Sequence, residues 1–316
     1  TVNEQALRPV RRWRWRRARR PRSGRRRSST RGDATDMSVR NPVVPHAALE
    51  SGAVAPRCMT YGRGFRPPDM MDCTPGHLHG CTTPPAKTRS GVESVGQTGG
   101  WKLDPGKPYL LDLGLARAIA AVAHLHTLVE LGAGLGCYSL MLAHCGVHVL
   151  AAIDGAEKVN ELSGGVVTRA DLTQPMRSAA DWVMTLETGE HIPSFLESVF
   201  LNNTADNAHC GVVLSWAFPG QPGIGHVNTR PQGYVVAQMA SRGFKVDANH
   251  TQRLRRAASL WFLQRNVLVF TRIAPSARGR ACQPPDFSLS DAEVNRICET
   301  RHTKHSETRH TKHSNT

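Results

Sequence analysis

The stretch TLVELGAGLGCYS, Thr127 to Ser139, decides how this 316-residue chain is read. A short apolar run, Thr127 to Leu131, meets three alternating glycines, Gly132, Gly134 and Gly136, and then returns to apolar residues. That order predicts a buried strand, a tight turn and a helix. Glycine has no Cβ, so its backbone can take positive φ and lie close against another group. Glu130, two residues before the first glycine, puts a carboxylate at the mouth of the turn.

The alternation continues on both sides. Upstream, YLLDLGLARAIAAVAHL, beginning just after Pro108, is dense in Ala and Leu and predicts a helix. Downstream, the runs Val147–Ile153, Gly165–Thr168, Trp182–Glu187, Gly211–Trp216, a segment after Phe244, and Asn266–Thr271 read as strands. Between them, Cys137–His144, a short piece near Glu157, Pro193–Asn203 and Pro231–Arg242 read as helices, the prolines falling in first turns. Strands alternating with helices predict an α/β fold: a Rossmann-like, seven-stranded, mostly parallel sheet flanked by helices.

A glycine turn between strand and helix serves two kinds of cofactor. Dinucleotides favour G-x-G-x-x-G, with a pyrophosphate at the helix start. Here the spacing is G-x-G-x-G, and Glu130 would repel a pyrophosphate while suiting a cationic cofactor. The second strand ends in Asp154, 22 residues after Gly132, and the third in Asp171 of RADL. Each acid taken alone is equally readable as a helix cap.

VELGAGLG resembles the first motif of the class I S-adenosylmethionine-dependent methyltransferases, E/D-x-G-x-G-x-G, with Glu130, Gly132, Gly134 and Gly136 in matching positions. The resemblance runs from about Trp101 to Arg272. It implies S-adenosylmethionine as cofactor, with Asp154 on the ribose hydroxyls and Asp171 beside the adenine amino group. It also implies methyl transfer, and the loops after the fourth and fifth strands would face the methyl. Those loops are LETGEHIP, with Glu187, Glu190 and His191, and SWAFPGQPGIGHVN, with Ser215, Trp216, Gln221, His226 and Asn228. The pair is similar to a branch of the same superfamily. His191 and His226 are the candidate bases, since a neutral imidazole can accept a proton near pH 7; Glu187 and Glu190 would hold a cationic amine or take its proton. The acceptor is expected to be a small molecule, because the motif common to base-amino methylation is absent after the fourth strand and the body is nearly neutral.

Charge is gathered at one end. Residues 1–32 hold 13 of the 40 basic residues and a single acid. Residues 1–36 are therefore expected to be a disordered Arg-rich tail, or a segment that is not part of the mature chain. A real tail would allow nucleic-acid contact, and a non-catalytic protein gripping nucleic acid through this arm is the alternative function. Residues 37–98 read as a Pro/Gly-rich leader, 99–274 as the methyltransferase domain, and 275–316 as a disordered His-rich tail ending in a doubled ETRHTKHS. Arg253, Arg255 and Arg256 read as a solvated strand edge.

The eight cysteines lack paired C-x2-C spacing, so no metal site is assigned. Cys137, Cys145 and Cys210 lie among apolar residues and are expected to be buried free thiols of a reducing compartment. No apolar run reaches the roughly 18 residues a membrane helix needs. A soluble cytoplasmic protein is expected, with organelle import if the N-terminal segment is a transit peptide.

Overall fold

The computed structural model describes residues 58–61, 95–103, 109–273, 282, 289–290 and 292–298. The chain divides into two units after Thr35, and all of these residues belong to the second. Seven strands form the main sheet: β3 (Thr127–Leu131), β4 (His148–Asp154), β5 (Thr168–Arg169), β6 (Ala180–Thr185), β7 (Ala208–Leu214), β8 (Phe244–Val246) and β9 (Leu268–Arg272). Their order is β5-β4-β3-β6-β7-β9-β8, parallel except at β9, which runs against both neighbours. Strand order reverses between β3 and β6, and in such sheets ligands bind outside the carboxyl ends at that reversal. Two further strands, β1 (Cys58–Tyr61) and β2 (Tyr109–Asp112), pair in parallel in a small sheet of their own.

Strand residues alternate between two helical layers, as a period of two requires. Leu128, Trp182, Met184, Val213 and Val269 share one core with α1 (Leu113–Val122), α6 (Ala248–Ala257) and α7 (Trp261–Asn266). Val129, Leu131, Val183, Val212, Leu214 and Phe270 face the other way, onto α4 (Glu197–Asn207) and α5 (Gln232–Ala240). The remaining helices are α2 (Cys137–His144), straight after the glycine turn, and the short α3 (Val159–Leu162). One glycine is dictated by packing: a Cβ on Gly211 would stand 2.3 Å from the Trp182 ring.

Asp112 joins the two ends of the domain. Its Oδ1 accepts the Leu115 N–H at 3.0 Å as the N-cap of α1. Its Oδ2 accepts from Ser259 N–H at 2.5 Å and Leu260 N–H at 2.8 Å.

Several sequence expectations are corrected. The helix expected just after Pro108 begins instead at Leu113, because Tyr109–Asp112 is claimed by pairing with β1. Arg253, Arg255 and Arg256 lie on helix α6, not a strand edge; Arg255 Nε donates to Val267 O at 2.9 Å and Arg253 to Leu289 O at 3.0 Å. Within the stretch expected to be a disordered tail, residues 292–298 are helical, and Val294 and Cys298 are buried in the domain core.

The free-thiol reading of Cys137, Cys145 and Cys210 is also corrected. Cys58 is bonded to Cys137, Cys145 to Cys298, and Cys210 to Cys282. Burial among apolar residues suits a disulfide as well as a thiol, and the partners are far away in sequence, so spacing could not reveal them. The pairing removes the ground for a reducing, cytoplasmic location. Two of these bonds fall at the start and just past the end of α2, which is thereby held at both ends. Cys73 and Cys81, the Arg-rich segment with its nucleic-acid reading, and the doubled ETRHTKHS lie outside the described residues. Among the described residues no helix is long and apolar enough to cross a membrane.

Candidate active site

The turn after β3 has the backbone its sequence called for. Gly132, Gly134 and Gly136 take φ of 80°, 53° and 80°. Gly132 and Ala133 donate their N–H groups to Ile153 O at 2.8 and 3.1 Å, which holds the turn against the end of β4. Asp154 then ties it from the other side. Its Oδ2 accepts from Gly134 N–H at 2.7 Å and its Oδ1 from Ala156 N–H at 2.8 Å. Each oxygen retains a second lone pair, as ribose hydroxyls would require.

Glu130 is 2% exposed, and its Oε2 accepts from Ser139 Oγ at 2.5 Å. Burial pushes its carboxyl up to about 8, against the pull of the Ser139 hydrogen bond. Burial raises Asp154 as well, opposed by its backbone donors. A positively charged group between these acids would restore their ionised forms. Asp171, after β5, accepts from Thr173 N–H at 2.9 Å and Thr173 Oγ1 at 2.6 Å, closing a local turn.

Three features of this cradle escaped the sequence analysis. Tyr109 lies over the turn, its ring so close that a Cβ on Gly134 would stand 2.1 Å from it. The pKa of its hydroxyl is driven far upward by burial and by the neighbouring Asp154 and Glu130. Thr188 fills the space beside Gly132 in the same way. The segment 95–103 crosses the site: a Cβ on Gly100 would meet Gly155 O and one on Gly99 would meet His191 O, each at 2.7 Å. Trp101 packs edge-on to His191 with ring centroids 5.1 Å apart. The two glycines before a tryptophan in TGGW were the signal for this close crossing. The positive-φ turn and the acids beside it have the chemistry a cationic nucleoside would need.

The loops after β6 and β7 interlock. Residues Gly189–His191 form one 3-10 turn, and Glu190 O accepts the N–H groups of both Val227 and Asn228 at 2.9 Å. His191 Nδ1 donates to Gly225 O at 3.0 Å. Gly189 lies so near the Trp216 ring that a Cβ would come within 2.3 Å. Trp216 is buried, donates Nε1–H to Asn228 O at 2.7 Å and packs on Phe200; it belongs to the core. Asn228 is likewise structural, donating to Glu197 at 2.8 Å.

Glu187, at φ 48°, occupies the left-handed region that non-glycine residues rarely adopt. Its neighbours hold it there. Its N–H donates to Ser215 Oγ at 2.8 Å, and its carboxylate accepts from Gln221 Nε2 at 2.5 Å and Asn266 Nδ2 at 2.6 Å. A cavity of about 360 Å3, lined by Trp216, Phe218, Arg230, Arg265 and Asn266 among others, adjoins this network.

All four candidate catalytic residues therefore meet. Glu190, His191 and His226 each bring one ligand atom within 4.8 Å of the other two. Burial, then the Glu187 charge, holds the Glu190 carboxyl well above its usual range. Burial raises Glu187 too. Desolvation lowers His191 to about 4, and it lowers His226 as well. The two imidazoles are thus neutral near pH 7 but are weak proton acceptors, which counts against the base role expected of them.

No family model matches the chain and no curated protein matches it. Solved structures that match include the magnesium protoporphyrin IX methyltransferase of Synechocystis PCC 6803 with bound SAH. It is 18% identical over 51% of this chain and 84% of its own, with a TM-score of 0.40. A sugar N-methyltransferase from Streptoalloteichus is 12% identical over 51% and 87%, TM-score 0.41. A SAM-bound amino pentose methyltransferase from Micromonospora echinaspora is 14% identical over 50% and 88%, TM-score 0.39.

Proposed function

We propose that this protein binds S-adenosylmethionine at the carboxyl ends of β3, β4 and β5 and transfers its methyl group to a small-molecule acceptor. The observation that carries the reading is the positive-φ glycine turn at the sheet's reversal point, with Glu130 buried and Asp154 half-buried against it. Glu130 would face the cofactor's cationic end and Asp154 its ribose hydroxyls, with Asp171 at the adenine end. S-Adenosylmethionine held there would supply an electrophilic methyl carbon and, as the acceptor lone pair takes the methyl, a neutral thioether leaving group. The chain's part is alignment and exclusion of water. Tyr109 and residues 95–103 cover the turn, while Glu187, Glu190, His191 and His226 present the polar surface to the acceptor, whose proton leaves at that cluster.

The three disulfides support a working compartment oxidising enough to keep them. Calorimetry with S-adenosylhomocysteine tests the cofactor reading, with an expected Kd on the order of micromolar as for many enzyme ligands. Gly134→Val, which drives a side chain into Tyr109, and Asp154→Ala should each weaken binding at least tenfold. Unchanged affinity in both would remove the glycine turn from the site. Incubation with methyl-labelled cofactor and a metabolite extract would then identify the acceptor.

A further inference from the structure

The Glu190 carboxylate is fully buried, and neither of its oxygens meets a hydrogen-bond donor. An unpartnered buried carboxylate is costly, so its surroundings must supply something electropositive. The backbone N–H groups of Glu190 itself and Ala217 lie near enough to favour its charged form without closing a hydrogen bond, and the side chains that face it, Glu187 and His226, offer it lone pairs. His226 Nδ1 is 3.2 Å from Gln221 O and His191 Nδ1 is 3.0 Å from Gly225 O. A carbonyl only accepts, so each Nδ1 carries the proton and each Nε2 is left with a lone pair. His226 Nε2 stands 3.9 Å from Glu190 Oε1, too far for a hydrogen bond. Two ligand atoms each about 2.1 Å from one ion lie up to about 4.2 Å apart, so this pair can share an ion where it cannot share a proton, and the three ligand atoms, all within 4.8 Å of one another, would draw in slightly to close on it.

We propose that Glu190, His191 and His226 form a binding site for a divalent first-row transition metal ion of the Zn2+ class. Two imidazoles and one carboxylate are the donor set such ions favour over Mg2+ or Ca2+. The backbone carbonyls of Gln221 and Gly225 fix both ring tautomers, the usual outer-shell partner of a ligating histidine. Gly223 lies directly on His226, where a Cβ would come 2.1 Å from Nε2, so the loop leaves that nitrogen room only as glycine. The half-buried Glu187 carboxylate beside the site brings the number of acids there to two, which matches the charge of one divalent ion. Three protein ligands leave a coordination position open. If the methyl-transfer reading is right, on which this role rests, an acceptor hydroxyl bound there would lose its proton to solvent more readily and present an oxygen lone pair to the methyl carbon.

The test uses the full chain with its disulfides intact and His302, His305, His310 and His313 changed to alanine, so that the histidines of the doubled C-terminal segment do not contribute. This parent is stripped with a chelator and titrated with Co2+, read by visible absorption, followed by displacement with Zn2+. One equivalent of Co2+ per chain is expected, with binding at least tenfold weaker in Glu190→Gln and in His226→Gln and unchanged in His148→Gln, which lies at the opposite end of the sheet. Melting in chelator separates misfolding from ligand loss, and His226→Gln, less buried than Glu190, carries the test if Glu190→Gln does not fold. No uptake by the parent, or equal uptake by both site variants, overturns the proposal. S-Adenosylhomocysteine binding is measured on the same samples: cofactor binding without metal uptake sinks the metal site alone, and metal uptake without cofactor binding sinks the methyltransferase reading alone.

Discussion

Asp112 accepts the Ser259 amide proton at 2.5 Å across 147 residues of chain, while also capping α1 through Leu115. One carboxylate thus satisfies three backbone donors with Leu260 included. Asp112→Ala leaves all three without partners in a buried setting, where losing a cap costs about 1 kcal/mol and orphaning a donor about 1–3 kcal/mol. Urea denaturation should show a loss of about 2–4 kcal/mol. A change below about 0.5 kcal/mol would mean that water replaces the carboxylate there.

Glu130 titrates in the folded chain near pH 8, above its unfolded value of 4.5. Between those limits the folded state holds the extra proton, so stability is full below about pH 4.5 and declines as pH rises through about 8, by at most about 1.4 kcal/mol per pH unit. Glu130→Gln should flatten this part of the profile in denaturation measured from pH 5 to 8. Parallel profiles would place the carboxyl in water. A cationic cofactor reverses the shift, so binding at pH 7 should release protons, visible as calorimetric enthalpies that depend on the buffer.

Glu187 is held in its left-handed conformation by Ser215, Gln221 and Asn266. Gln221→Ala removes one of the two amides on its carboxylate. Labelled-methyl assays should show transfer falling at least tenfold while S-adenosylhomocysteine affinity stays within about twofold, since the cofactor turn is untouched. Equal losses in both would show that the loop supports the cofactor instead.

Reduction should act on stability without touching the sheet. A native disulfide typically contributes about 2–4 kcal/mol, so dithiothreitol should lower the melting temperature by several degrees or more. Peptide mapping without reduction should recover the links Cys58–Cys137, Cys145–Cys298 and Cys210–Cys282. Eight alkylatable thiols in the untreated protein would overturn the pairing.

The sheet was legible because its strands carry local signals. Thr127–Leu131 was bounded to the residue, its apolar run being closed by glycine on one side. Helix α4 was placed four residues early: Pro193 starts a turn, and the helix proper begins at Glu197. The glycines, Glu130 and Asp154 are legible as candidates because each stands at a strand end or in the turn that follows it. The local sequence at Tyr109 predicts a helix start, because its pairing with β1 depends on a strand 51 residues earlier. Desolvation chiefly lowers His191 and raises Glu190, and a one-dimensional pattern does not carry it, although Glu187, the charge that adds to the rise at Glu190, stands three residues upstream in the same loop. The sequence offers the histidines as bases, and desolvation in the fold lowers their proton affinity.

The covalent links at Cys282 and Cys298 have a practical consequence. A protease that nicked the backbone between Arg272 and Cys282 would release nothing, because the C-terminal fragment is tethered to β7 and to the residue just past α2. The two pieces would migrate together on a gel until a reductant parted them. An intact band on a non-reducing gel is therefore no proof of an uncut polypeptide.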